Sequence, residues 1–137
     1  MPASPQTCLQ VIDTVDAFAR CLGRGDVATA TGSLDGRVSF IVPWTTGILR
    51  GTDTVGAYLA REAGRFRNIR LSGIEVDAVG TVAWVSGYFH AVPGAGAQGE
   101  AGHVTFVLAG TGHAWVIAHV HFSCPLGSAR GGREKQG

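Results

Sequence analysis

Three of the five histidines in this 137-residue chain fall in one run, from His113 through His119 and His121 to Pro125. An imidazole with an unperturbed pKa of ~6.5 is the natural proton carrier near neutral pH. His119 and His121 stand two apart in the longest clean alternation of the sequence, so a strand would project both from one face, roughly 7 Å apart. Strict alternation groups Trp115, Ile117, His119, His121 and Ser123, against an opposite face that is wholly apolar. A face that changes from aromatic and aliphatic to imidazole and hydroxyl suits a sheet lining a pocket with one polar end. His121 is the expected acid/base, with His119 and Tyr88 polarising a carbonyl.

The residues expected to hold a substrate are Trp84, Ser86, Tyr88 and His90 on one face of an earlier alternating run, His103 and Thr105 on the next, Trp115, and Trp44 in a hairpin loop. A mixed Trp, Tyr and Ser face suits a flat, ring-containing ligand bearing a hydroxyl or carbonyl. Aromatics spaced by two are also what ordinary core packing produces. Whether His103 and His121 share a face depends on the turn Gly110-Thr111-Gly112, because one added residue there inverts every later side chain. A metal held by His119 and His121 needs a third ligand, and no His-x-His-plus-carboxylate pattern accompanies them, so neither metal nor other cofactor is expected. Asp13, Asp16, Glu75 and Asp77 read as solvated carboxylates, which leaves Glu100 as the acid nearest the late strands.

These side chains must be positioned by a single domain, the usual prior for this length. Charged residues make up 15% and the net charge is +1, too balanced to draw the chain to nucleic acid or an anionic membrane. The N-terminus lacks the pattern of a signal peptide, and no apolar run approaches the ~18 residues a spanning helix needs. Cys8, Cys21 and Cys124 match no metal spacing and read as reduced packing residues. The expectation is a soluble, cytoplasmic protein.

Apolar positions at Leu9, Val11, Ile12, Val15, Phe18, Ala19 and Leu22 follow helical spacing, with Thr7 as cap and Gly23 and Gly25 at the exit. Asp26 caps a second short helix reaching about Leu34, and Asp35-Gly36 is a turn signal. Arg37 to Pro43 and Thr46 to Arg50 read as a hairpin, followed by a helix capped at Thr52 or Asp53 that uses Val55, Tyr58, Leu59 and Phe66. Strands then run from Ile69 to Val79, Thr81 to Val92, Gly102 to Ala109 and His113 to Ser123. Pro93 to Gly99 is a loose hairpin loop. The ordered domain spans 7–126, between a flexible N-terminus at 1–6 and a disordered tail at 127–137. This order argues for an α+β fold with a strongly bent antiparallel sheet wrapped around helices. Central strands apolar on both faces call for a second cover, so a homodimer through the sheet is expected.

From about Leu9 to Pro125 the chain resembles SnoaL-like domains of the nuclear-transport-factor-like, or cystatin-like, superfamily. The resemblance is carried by Gly25-Asp26, Arg50-Gly51, Val82-Ala83-Trp84-Val85-Ser86-Gly87, His103-Val104-Thr105-Phe106-Val107-Leu108 and the run from Trp115 to Pro125. It implies a cone-shaped fold with three helices in its N-terminal half and a deep hydrophobic pocket between helices and sheet. Relatives of that fold include polyketide cyclases, ketosteroid isomerase, scytalone dehydratase and non-catalytic association domains. The implied function is a small cofactor-independent enzyme of cyclase, isomerase or dehydratase type, moving protons on an apolar cyclic or polyketide-like substrate. The alternative is a ligand-binding or dimerisation module without catalysis. Two departures stand out. Val42 occupies the place before Pro43 where ketosteroid isomerase carries its catalytic aspartate, which argues against isomerase chemistry by that route. His103 stands where close relatives commonly have an arginine, exchanging a fixed cation for a titrating group.

Overall fold

A computed structural model describes residues 3–92 and 99–125. The expected disordered tail and most of the Pro93 to Gly99 loop lie outside the described residues. Helix α1 (Pro5–Gly23) begins three residues earlier than a cap at Thr7 implies: Pro5 supplies a pre-set φ, and the Ser4 hydroxyl accepts the Thr7 N–H at 3.1 Å. Its inner stripe of Val11, Val15, Phe18 and Leu22 is buried, whereas Leu9 stands in solvent. Asp26 caps α2 (Val27–Thr31) through the Thr29 N–H at 3.2 Å, and those hydrogen bonds hold its carboxyl below the usual range.

Strand β1 (Leu34–Ile41) starts earlier than expected, because Asp35-Gly36 forms a kink inside it rather than a turn before it. The Asp35 Oδ2 accepts the Arg37 N–H at 2.9 Å there. The short β2 (Leu49–Arg50) pairs with it antiparallel. Helix α3 (Thr52–Arg61) has Gly51 rather than Thr52 or Asp53 in its capping position, with no side-chain cap, and a 3-10 turn (Ala63–Phe66) carries Phe66 into the core. The strands β3 (Arg70–Val79), β4 (Val82–Ala91), β5 (Glu100–Gly110) and β6 (Trp115–Ser123) form an antiparallel meander. Among the described residues the sheet runs β2-β1-β6-β5-β4-β3, with β1 and β6 parallel.

Two irregularities bend this sheet. Gly73, at φ +61°, sits where the β3–β4 register shifts. On β6, Val107 faces His119 while Leu108 faces Ile117, so Ala118 has no partner. An unpaired residue of this kind kinks a strand and re-aims the side chains beyond it. The helices cover the concave face. Phe18 packs edge-on to Phe106, and Phe40, Phe66, Phe89 and Tyr58 gather around Phe122 and one another at ring separations of 5.0–6.5 Å. Each fully buried ring contributes roughly 1.5–3 kcal/mol by leaving water.

Candidate functional site: the outer sheet face

The unpaired Ala118 divides the face that alternation assigns to β6. Ile117 is buried with Val120 and Phe122, and Trp115 lies half-buried with its indole N–H donated to Gln10 of α1 at 3.3 Å. His119, His121 and Ser123 emerge on the opposite side. The expected apolar-to-imidazole gradient along one face is therefore absent: its two halves belong to different faces. Physical chemistry favours this split, since turning both imidazoles into an aromatic core would desolvate them with no partners.

The register left open by the last turn is settled by pairing. His103 stands opposite Ser123, Thr105 opposite His121 and Val107 opposite His119, so His103 and His121 share a face. Tyr88, Ser86 and Trp84 lie opposite His103, Thr105 and Val107 on the other side of β5, and His90 faces Ala101. Eight of the ten residues expected from sequence are thus gathered on one surface: Tyr88, Trp84, Ser86, His90, His103, Thr105, His119 and His121. It is the convex surface that the helices leave bare, not a pocket interior. Trp44 and Trp115 do not join them. Trp44 packs edge-on to Phe66 at 5.7 Å beneath the Arg65 guanidinium, 4.6 Å from its ring, on the helix side of the sheet and at the other end of β6 from Trp115.

Within the outer face, Ser39 Oγ and His119 Nδ1 are 2.6 Å apart. Burial, and secondarily the charge of His121, lower the pKa of His119. The contact with Ser39 is a hydrogen bond in which the hydroxyl can either donate to Nδ1 or accept from it, according to the tautomer of the ring. The His119 and His121 rings lie 6.4 Å apart and edge-on. Tyr88 lies across Gly73, where an added Cβ would come within 2.9 Å of its ring, and stacks on His103 at 5.0 Å. A shallow depression of about 270 Å³ opens beside them, bounded by Glu75, Ser86, Tyr88, His103 and Thr105. A larger groove of about 530 Å³ lies away from this face, between α1 and the two hairpin turns, with Gln10, Asp13, His113 and Trp115 along it.

The interior holds a group that sequence reasoning passed over. Tyr58 is 2% exposed and its hydroxyl has no hydrogen-bond partner; burial pushes its pKa up to about 12. Apart from this phenol and the Cys21 thiol, the buried side chains among the described residues are hydrocarbon, and Val42 is buried with them. The signal was available, because a tyrosine on the apolar stripe of a helix carries a hydroxyl that the core must accommodate. Arg65 was also missed. It reaches Glu62 at 3.3 Å and Glu100 at 3.4 Å while covering Trp44, which closes that end of the cone. Among the described residues, no group of three His, Cys, Asp or Glu side chains could hold a metal ion, and no helix is long and apolar enough to cross a membrane.

Residues 11–127 match the SnoaL-like domain family. The chain belongs to that family. Solved structures give the same fold: an NTF2-like protein of unknown function from Pseudomonas putida (16% identity, 89% of each chain covered, TM-score 0.80) and a cystatin-like protein of unknown function from Nostoc punctiforme (16% identity, 92% of this chain and 99% of that one, TM-score 0.76). A proposed dehydratase of the NTF2-like family from Streptomyces avermitilis is 22% identical, with 89% of this SnoaL-like chain and 99% of that chain covered and a TM-score of 0.73. No curated protein matches the chain. The α+β cone with its bent sheet is therefore the fold of this SnoaL-like domain, as its sequence leads one to expect.

Proposed function

We propose that this SnoaL-like domain works as a homodimeric module whose outer sheet face docks a second copy, the late-strand histidines serving that interface. The observation that supports this most is the exposure of large rings on β4, one strand in from the sheet edge: Trp84 is 41% and Tyr88 55% exposed, while alternate residues of the same strand are buried. Contiguous exposed aromatics bordered by polar groups are what interaction surfaces present. A two-fold dimer uses one such patch twice. Light scattering during gel filtration tests the reading. Wild type should elute as a dimer at micromolar concentration and Trp84→Asp as a folded monomer; a wild-type monomer at all concentrations refutes it.

A second reading is favoured by Tyr58. A buried, unpartnered phenol that stays protonated across the physiological range is a hydrogen-bond donor awaiting an acceptor. In this reading the domain is a small enzyme of cyclase, isomerase or dehydratase type, which opens its cone to an apolar cyclic or polyketide-like substrate whose carbonyl accepts from Tyr58. Trp44 and Arg65 would gate the entry. The carboxylates at that end, Glu62 and Glu100, both engage Arg65, so among the described residues the phenol donor has no unpaired carboxylate beside it, which is why this reading stands second. Native mass spectrometry of the purified protein checks it: a copurified small molecule should lose roughly tenfold in affinity in Tyr58→Phe, the loss expected from one buried hydrogen bond. Equal retention by both proteins contradicts it.

A further inference from the structure

The groove of about 530 Å³ between α1 and the two hairpin turns serves neither the outer face nor the interior of the cone. Gln10, Asp13 and Thr14 stand three and four apart on α1 and so share one side of the helix. Thr81 lines the groove from the β3–β4 turn, and His113 and Trp115 line it from the turn between β5 and β6. Two hydrogen bonds tie these three walls together. The Gly110 N–H donates to the Thr81 carbonyl at 2.7 Å, and the Trp115 indole N–H donates to Gln10 Oε1 at 3.3 Å. The later turn is also braced within itself, the Thr111 N–H donating to the Ala114 carbonyl at 2.8 Å. The groove is thus formed before anything enters it, and its volume lies within the range of small-molecule sites.

Three features narrow what fits. The indole N–H needs an oxygen, which orients the Gln10 amide and leaves its NH2 group as a donor. One helical turn on, Asp13 is exposed along the groove, joins no ion pair among the described residues, and can only accept. A donor and an anionic acceptor side by side suit a ligand that both accepts and donates, as a hydroxyl does and a quaternary ammonium does not. The third feature is Gly110. Its φ is not positive, so its own backbone does not call for glycine. A Cβ there would lie 3.4–3.5 Å from the six-membered ring of Trp115, and its absence leaves that part of the indole uncovered beside the groove. An uncovered aromatic face next to hydroxyl-binding groups matches a ring whose faces are C–H and whose edges are hydroxyl.

We propose that this groove binds a neutral, hydroxyl-rich ring of the pyranose class, with one face of the sugar laid on Trp115 and neighbouring hydroxyls held by Asp13 and the Gln10 amide. Gly80 and Gly112 leave the rim without side chains at the two turns, where a Cβ would meet nothing within 4 Å. The site does not depend on the dimer, because the groove lies away from the outer face. Nor does it depend on Tyr58, which packs against Phe40 and Phe66 and lines no part of it. A free sugar and the glycosyl end of a larger molecule present the same chemistry to these residues.

Nitrogen–proton correlation NMR of the full chain, titrated with glucose, galactose, mannose and their methyl glycosides, tests this. At least one of these sugars should shift the Trp115 indole N–H and the amides of Gln10, Asp13, Thr81 and His113. The shifts should saturate with a dissociation constant on the order of 1 mM, the strength a ring of this size reaches in an open groove. Sorbitol, which has the hydroxyls without the ring, and tetramethylammonium, which has charge without hydroxyls, should leave these signals in place. Asp13→Asn should weaken binding about tenfold, and Gly110→Ala should weaken it by covering the indole, each with the rest of its spectrum unchanged. Tyr58→Phe and Trp84→Asp should bind as wild type does. A methyl glycoside that binds more tightly than its parent sugar supports the site and marks the glycosyl end of a larger molecule as its ligand; the reverse order supports the site and marks the free sugar. No response to any of these sugars, shifts centred on Trp44 and Tyr58, or a stronger response to tetramethylammonium overturns the proposal while leaving the dimer reading standing. Sugar binding by a wild-type monomer overturns the dimer reading alone.

Discussion

The two faces of β4, β5 and β6 are built from alternate residues of the same segments and share almost no chemistry. The inner face, Ala83, Val85 and Phe89 on β4 with Val104, Phe106 and Leu108 on β5 and Val120 and Phe122 on β6, is hydrocarbon pressed against helices. The outer face carries Trp84, Tyr88, three strands' worth of hydroxyls and imidazoles, and a carboxylate edge. The first set is constrained by volume and the second by partners. What separates them teaches where function can reside: substitutions inside should cost the fold, and substitutions outside should cost assembly.

The largest effect should come from Phe122→Ala, which removes the ring that Phe40, Phe66 and Phe89 all touch. A loss of about 3–5 kcal/mol is expected in urea unfolding, whereas Trp84→Ala in the monomer should cost less than ~1 kcal/mol while abolishing most self-association. Equal costs to folding would erase the distinction between the faces. Gly102→Ala comes next. Its Cβ would run into the Ser123 carbonyl where β5 meets β6, and about 1–3 kcal/mol should be lost, with the Ser123 end of β6 exchanging its amides faster.

Tyr58→Phe sharpens the comparison from inside. It deletes a hydroxyl without a partner, so unfolding should show no loss and up to about 1 kcal/mol of gain; a clear destabilisation would mean the phenol is bonded after all. The smallest effect concerns His119. Its pKa is lowered in the folded single copy, so the unfolded chain binds the proton more readily. Its contribution to stability is therefore complete above ~6.5 and lost as pH falls through the lowered value. In the monomeric Trp84→Asp background, replacing His119 with Asn should remove that part of the pH dependence, as thermal melts between pH 7 and 5 would record.

The legible part of this molecule was whatever follows from periodicity. The meander from β3 to β6, the α1 stripe and the Asp26 cap were all readable from spacing and capping chemistry. The gathering of Tyr88, Trp84, Ser86, His90, His103 and Thr105 on one surface was readable too, because strict alternation holds through β4 and β5. What could not be read was the sense of that surface. A single unpaired residue, Ala118, sends Ile117 inward and His119 outward, and nothing in the residue types announces it. The same limit applies to Asp35-Gly36, whose composition is that of a turn but whose backbone continues as a strand because Leu34 and Val38 must both reach the core. Arg65 and Glu100 lie 35 residues apart and meet only once the sheet has closed.

The central claim is that a second copy covers the outer face, and histidine reactivity reads that coverage directly. Diethylpyrocarbonate labelling, quantified residue by residue across protein concentration, should show His121 and His103 becoming protected as the concentration rises through the dimer's dissociation constant. His113, exposed in the turn between β5 and β6 and outside that face, should stay equally reactive throughout. Labelling of His121 and His103 that does not change with concentration, in step with His113, would contradict the account.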